Sequence, residues 1–205
     1  MKKKLFKTLG IIACAVLLIG GSIAGTYAYL TSTKTTKNVF TVGNVTISLD
    51  EANVNELGQK INEDRVTPAG DYSYEFKLIP GREYKTNPTI RVEDGSEDCW
   101  LFVELEYGIA SVLDTEDIAT QLTAKGWEKL GNTDVYYYKN GTVAEKTNVP
   151  VFDSFKILGT ATNDTIADCA ETSRYIAITA YAIQAEGFAT AEAAWTAASG
   201  EFNGN

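Results

Sequence analysis

The residues of this chain that could do chemistry are two cysteines, an acidic run and a pair of strand carboxylates. Cys99 and Cys169 could close a loop of roughly 70 residues, worth about 4 kcal/mol in the chain-entropy model, or stand as two buried thiols; both readings stay open on sequence. Glu93, Asp94, Glu97 and Asp98 offer hard oxygen ligands at short spacing, as calcium would want. They lack the length and spacing of an EF-hand loop, so a solvated turn is the expected role. Glu104 and Glu106 share one strand face at period two, which reads as a wet sheet surface rather than the two flanks of a sugar cleft. The chain contains no His. That removes the commonest general base, the commonest zinc ligand and every triad containing His. A Gly-x-Ser-x-Gly elbow and a Walker loop are also absent. No catalytic residue, metal ligand set or cofactor is therefore expected, and the chain reads as a non-enzyme.

The elements that would carry these residues are mostly strands. Val45, Ile47 and Leu49 alternate with Thr46 and Ser48, and Tyr72, Tyr74, Phe76 and Leu78 share one face of a second alternating stretch. Thr89 to Val92 is a short strand that Glu93 to Asp98 breaks. Cys99 to Tyr107 is the strongest strand signal, with Cys99, Leu101, Val103, Leu105 and Tyr107 on its dry face, and belongs at the centre of a sheet. Arg174 to Ile183 is the second strong strand. Trp127–Leu130 and Val135–Lys139 flank Gly131–Asp134 as a hairpin, and Asn140-Gly141 is the best two-residue hairpin turn. Val149–Phe152 and Phe155–Ile157 continue the meander, with Pro150 at a strand start or edge. Residues 50 to 67 are polar and poorly patterned, and read as a long surface loop.

Two helices interrupt this pattern. One spans about Thr115 to Lys125, with Asp114 as N-cap, Glu116 and Asp117 in its first turn, and Gly126 to end it. Ile118, Ala119 and Leu122 give it an apolar side that should lie over a sheet edge. The Ala-rich Thr190–Ala198 is a short terminal helix. Roughly eight strands without a βαβ rhythm point to one all-β domain with minor helices, an antiparallel β-sandwich.

The chain begins with Lys2, Lys3, Lys4 and Lys7, continues through an apolar run from Leu9 to Ile23 and reaches small residues, as a secretory signal does. Ser22-Ile-Ala24 and Thr26-Tyr-Ala28 both fit a cleavage rule, and spacing alone does not choose. Ile11 to Cys14 superficially fits a lipoprotein site, but the apolar run continues past it through Ile19. Without the signal the chain carries 14 basic and 27 acidic residues, net −13. Such an acidic chain repels nucleic acid and anionic lipid, so neither is expected as a partner, and membrane contact is expected only through the uncleaved signal.

Gly25-Thr-Tyr-Ala-Tyr-Leu-Thr-Ser-Thr-Lys34, Asn38-Val-Phe-Thr-Val-Gly43 and Val45-Thr-Ile-Ser-Leu49 resemble the corresponding segments of the TasA/camelysin (CalY) family of secreted proteins. The resemblance covers about the first fifty residues. It implies processing by a SipW-type signal peptidase at Thr26, Ala28 and Tyr29, with Tyr29 the first mature residue. It also implies a jelly-roll-like sandwich over 29–205 and a donor-strand-like segment over 29–49.

Family members form extracellular fibres, which implies a secreted matrix or cell-surface subunit that self-associates, with an accessory matrix protein as a further partner. Residues 29 to 42 are extended and β-prone enough to add to another molecule's sheet edge, with Leu30, Val39, Phe40 and Val42 filling pockets. The alternative is a segment that stays disordered or folds back on its own domain. Camelysin-type relatives are described as metalloproteases, which sets an enzyme reading against the missing His. A monomeric adhesin is the third reading, with Trp127, Tyr136, Tyr137 and Tyr138 as candidate stacking surfaces. Half of such a strand must face inward, so Tyr137, or else its two neighbours, is expected in the core.

Overall fold

The computed structural model describes residues 31–66, 74–169 and 174–202. Twelve strands and three helices lie among them. The largest sheet has six strands, in the order β4 (Glu75–Lys77), β1 (Thr31–Val42), β12 (Tyr175–Gln184), β7 (Cys99–Tyr107), β9 (Val135–Tyr138) and β8 (Trp127–Lys129). A four-stranded sheet runs β10 (Asn148–Pro150), β6 (Thr89–Val92), β2 (Ile47–Val54) and β3 (Lys60–Val66), and β5 (Glu83–Lys85) pairs with β11 (Ser154–Lys156). The helices are α1 (Thr115–Ala124), α2 (Asn163–Asp168) and α3 (Ala191–Phe202).

The strands expected to be central are central. β7 lies between β12 and β9, and its Cys99, Leu101, Val103 and Leu105 are buried in a core cluster that also takes Ile47 and Leu49 from β2, Ile90 from β6 and Ile176 and Ile178 from β12. Phe76, Tyr84 and Phe155 meet there with ring centroids 5.0 to 5.5 Å apart, tying β4 to the β5–β11 pair. Aromatic pairs at that range add to the free energy of their burial. Pro150 sits on an edge strand, where its missing N–H costs no ladder bond.

The all-antiparallel expectation is corrected at one place. β1 runs parallel to β12, so the large sheet is mixed, and the strand orders describe open sheets rather than a closed barrel. The loop expected over residues 50–67 is also corrected. β2 continues to Val54 and pairs with β3 as a hairpin. Asn55 closes it, its Oδ1 accepting the amides of Leu57 and Gln59 at 3.0 Å, while Gly58 takes φ +67°. Hydrophobic alternation fails here because β3 is an edge strand, with Ile61 61% exposed, and because β2 buries Asp50 and Glu51. Asp50 is held by Arg91 at 2.9 Å.

Asn140-Gly141 is a turn but not a hairpin. The chain beyond it bridges from Val143 to Cys99, and β10 then pairs with β6. Helix α1 starts as expected, the Asp117 amide donating to Asp114 Oδ1 at 3.2 Å, and it packs on β8 and β11. Its buried residues are Ile118 and Leu122; Ala119 faces solvent. Helix α2 adds to the two expected helices, and Thr162 and Thr165 form a reciprocal capping box at its start.

Phe155→Ala removes the ring stacked on Tyr84 and should cost about 3–5 kcal/mol in urea unfolding. Ala119→Ser, on the wet side of α1, should cost less than about 0.5 kcal/mol.

Candidate functional site

Thr26, Ala28, Tyr29 and Leu30 lie outside the described residues, as does the apolar run from Leu9 to Ile23. Among the described residues no helix is long and apolar enough to cross a membrane. The structure does describe where the polar leader goes. Its Thr and Val residues suit extended backbone, and β1 enters the large sheet between β12 and β4. Nine consecutive residues, Lys34 to Val42, pair in parallel with Tyr175 to Ile183. Thr31 to Lys34 pair with Glu75 to Lys77 on the other side, with a register shift between Thr31 and Thr33. Within this chain, then, the segment folds back into its own domain, one of the alternatives raised above. The segment expected over 29–49 divides at Gly43-Asn44: β1 belongs to the six-stranded sheet and β2 to the four-stranded one.

The walls of this slot explain its position. Ala180 and Ala182 of β12 are fully buried on the core side, opposite Val39 and Thr41 in register. Val39 is nevertheless 39% exposed and Thr41 is exposed, so the core covers β12 fully and β1 incompletely. On the other face, Tyr181 and Ile183 join Phe102 and the buried Ala191, Ala194 and Ala198 of α3, and half-buried Val42 packs against this second cluster. Trp195 lies 5.2 Å from Tyr181 and 4.9 Å from Phe102, between centroids. Tyr181, the register partner of Phe40, donates to Glu104 Oε2 at 2.6 Å, and burial followed by that carboxylate raises its phenol above the usual range. Glu106 likewise accepts the Tyr175 hydroxyl, so this face is less wet than the Glu104/Glu106 spacing suggests.

Sequence reasoning missed the corner that joins β1 to β2. Gly43 has φ +89°, and a Cβ there would lie 2.4 Å from Gln184 Oε1. The Asn44 amide donates to that same oxygen at 3.2 Å, and Gln184 Nε2 donates to Glu97. The signal was a Gly-Asn pair between two β-prone stretches, a turn signature.

The other candidates are dispersed. Cys99 starts β7 and donates to Val143 O at 3.5 Å, whereas Cys169 ends α2 and contacts Ser111 Oγ at 3.5 Å. Arg174, just before β12, donates from Nε to Cys169 O at 3.0 Å, and β12 runs antiparallel to β7. That puts the thiols toward opposite ends of β7, a strand roughly 26 Å long at about 3.3 Å per residue, too far for a disulfide. Both are buried free thiols, which corrects the paired alternative. In the acidic run, Glu93 accepts Ser48 Oγ at 2.5 Å and Asp94 pairs with Lys146 at 2.8 Å. Trp127 is a core residue whose Nε1 donates to Pro150 O at 2.9 Å, and Tyr136, Tyr137 and Tyr138 are half-buried against the two clusters, which corrects the exposed aromatic surface.

A cleft of about 380 Å³ between β2, β3 and β5 is lined by Lys60, Asp64, Arg65 and Lys85 among others. Its polar groups are largely engaged: Arg65 donates to Asn87 Oδ1 at 2.9 Å, and Asn87 donates to Asp153, which also pairs with Lys125 at 2.7 Å. It holds no pairing of nucleophile and base.

These features describe a mostly β protein in which the first described strand fills an interior slot beside the last described one. Residues 1–78 match the family model described as camelysin metallo-endopeptidase, so this first part of the chain is similar to that family. The match ends just after β4. Neither a curated protein nor a solved structure matches the chain. The description of that model implies a metal, and the donors among the described residues do not fit one. The chain has no His, its two described cysteines lie apart, and among the described residues no three His, Cys, Asp or Glu gather where they could hold an ion.

Burial, and after it Asp98, pushes the Cys99 thiol up to about 12. The folded chain beginning at Tyr29 should therefore resist iodoacetamide at Cys99 at pH 8. Unfolding without reductant should release two reactive thiols per chain, read by intact mass.

Proposed function

We propose that this protein is a secreted structural subunit of an extracellular matrix or surface fibre, and that it assembles by passing β1 to a neighbouring copy once a SipW-type peptidase has cut after Ala28. The observation that carries this reading is the slot itself. Among the described residues β1 is the first strand, lies in the interior of its sheet, and is joined to β2 by the corner at Gly43-Asn44. A strand so placed is exchangeable, because the slot of another copy offers the same backbone ladder and the same neighbours. Each copy gives one strand and receives one, so the contact is head-to-tail and need not close. Tyr29 to Val42 thus act through main-chain pairing, with Leu30, Val39, Phe40 and Val42 supplying side-chain fit. The jelly-roll-like arrangement implied by the family belongs to the same reading.

The family description favours a second reading, a surface metallo-endopeptidase. The donor set described above gives that reading no site, and the work proposed here is assembly without turnover.

Removing residues 29–42 should leave a domain that binds a synthetic peptide of that sequence and forms no filaments of its own, as seen by negative-stain microscopy and sedimentation. Normal filaments from the shortened chain would overturn the proposal.

A further inference from the structure

The loop between β6 and β7 fastens the corner where β1 leaves the domain. The Glu93 amide donates to Thr46 O at 2.9 Å, the Glu97 amide donates to Asn44 O at 3.1 Å, and Ser96 Oγ exchanges 3.0 Å bonds with the backbone of Thr46. The same loop borders the mouth of the slot, where the Ala185 amide donates to Asp98 O at 2.8 Å and Gln184 donates to Glu97. Glu93, Asp94, Glu97 and Asp98 all lie on it, and Glu145 joins them by accepting the Gly95 amide at 2.7 Å. Lys146, paired with Asp94, is the cation these contacts bring to the loop.

Chain connectivity turns this into a statement about assembly, one that rests on the strand-transfer reading. If β1 keeps its register in a neighbour's slot, the donor's Val42 lies beside the acceptor's Ile183, next to the acceptor's acidic loop. The donor's Ile47 stays paired with its own Val92, next to the donor's acidic loop. Only residues 43–46 separate these two points, a span of at most roughly 18 Å when fully extended. We propose that the junction between successive copies lies where their two Glu93–Asp98 loops face each other, acid against acid, and that ionic screening of this contact controls strand transfer. Within one copy, β1 and the loop meet without a second loop, so repulsion disfavours only the transferred state. The range of that repulsion is about 30 Å at 0.01 M salt and about 3 Å at 1 M. The opposite end of β2, with the cleft lined by Lys60, Arg65 and Lys85, stays away from the junction.

The test is the assembly rate of the chain beginning at Tyr29, followed by light scattering at 10 mM and 500 mM NaCl. Wild-type assembly should speed up on the order of tenfold or more with salt. Asp94→Asn with Asp98→Asn should assemble quickly at low salt and lose most of the salt response. Glu56→Gln with Asp64→Asn removes the same charge at the far end of β2 and should keep the wild-type response, which separates the junction from general self-repulsion of an acidic chain. A wild-type rate that ignores salt, or two double variants that behave alike, would overturn the junction. Filaments from a chain lacking residues 29–42 would instead overturn strand transfer itself.

Discussion

The backbone ladder between β1 and β12 is the constraint on which the rest of the structure depends. β12 carries Ala180 and Ala182 into one core and Tyr181 and Ile183 into another, so it lies between two packed layers. Nine of its residues look to β1 for their second set of main-chain partners. Buried amides and carbonyls left without partners cost free energy comparable to lost hydrogen bonds, so something must occupy that position. β4 is too short to replace β1, and its own place in the sheet is given by β1. In this structure the occupant comes from the same copy; in the proposed assembly it would come from another with equivalent pairing.

The chain's order sets the geometry at the end of β1. The first described strand and the last meet in one sheet, while β2, four residues beyond β1, belongs to another. The corner between them therefore has to turn sharply, and Gly43 at φ +89° against Gln184 does so. The family match reaches through β4, so it includes β1 and one wall of its slot, whereas the β12 wall lies beyond it. Helix α3 completes that second wall from outside through Trp195 and Phe202, both packed on Tyr181.

The strands that fill the core were legible because burial on one face leaves a period-two pattern, as in Cys99–Tyr107 and Tyr175–Gln184. Capping chemistry made α1 legible through Asp114. Other features leave no such trace. β3 is an exposed edge, and the second half of β2 puts Asp50 and Glu51 where alternation predicts apolar groups, so neither carries a strand pattern. The parallel direction of β1 is set by which distant strand it meets, and nothing in Thr31–Val42 encodes that. In the aromatic hairpin, alternation predicts that one face of the tyrosines is inward, but not that both are covered, since α3 and the core pack on opposite faces of β9. Of the candidate site, the β-prone segment and its Val39, Phe40 and Val42 were visible in sequence. The slot and the Gln184 corner were not, since they join residues about 140 positions apart.

The most direct measurement uses the register itself. Val39 and Ala180 are partners across the β1–β12 ladder, so Val39→Cys with Ala180→Cys places two thiols where a bridge reports whose strand fills the slot. Assembled protein, oxidised and run on a non-reducing denaturing gel beside the wild type, should give a ladder of covalent multimers. A single band of monomer, with every bridge internal, would contradict strand transfer between copies.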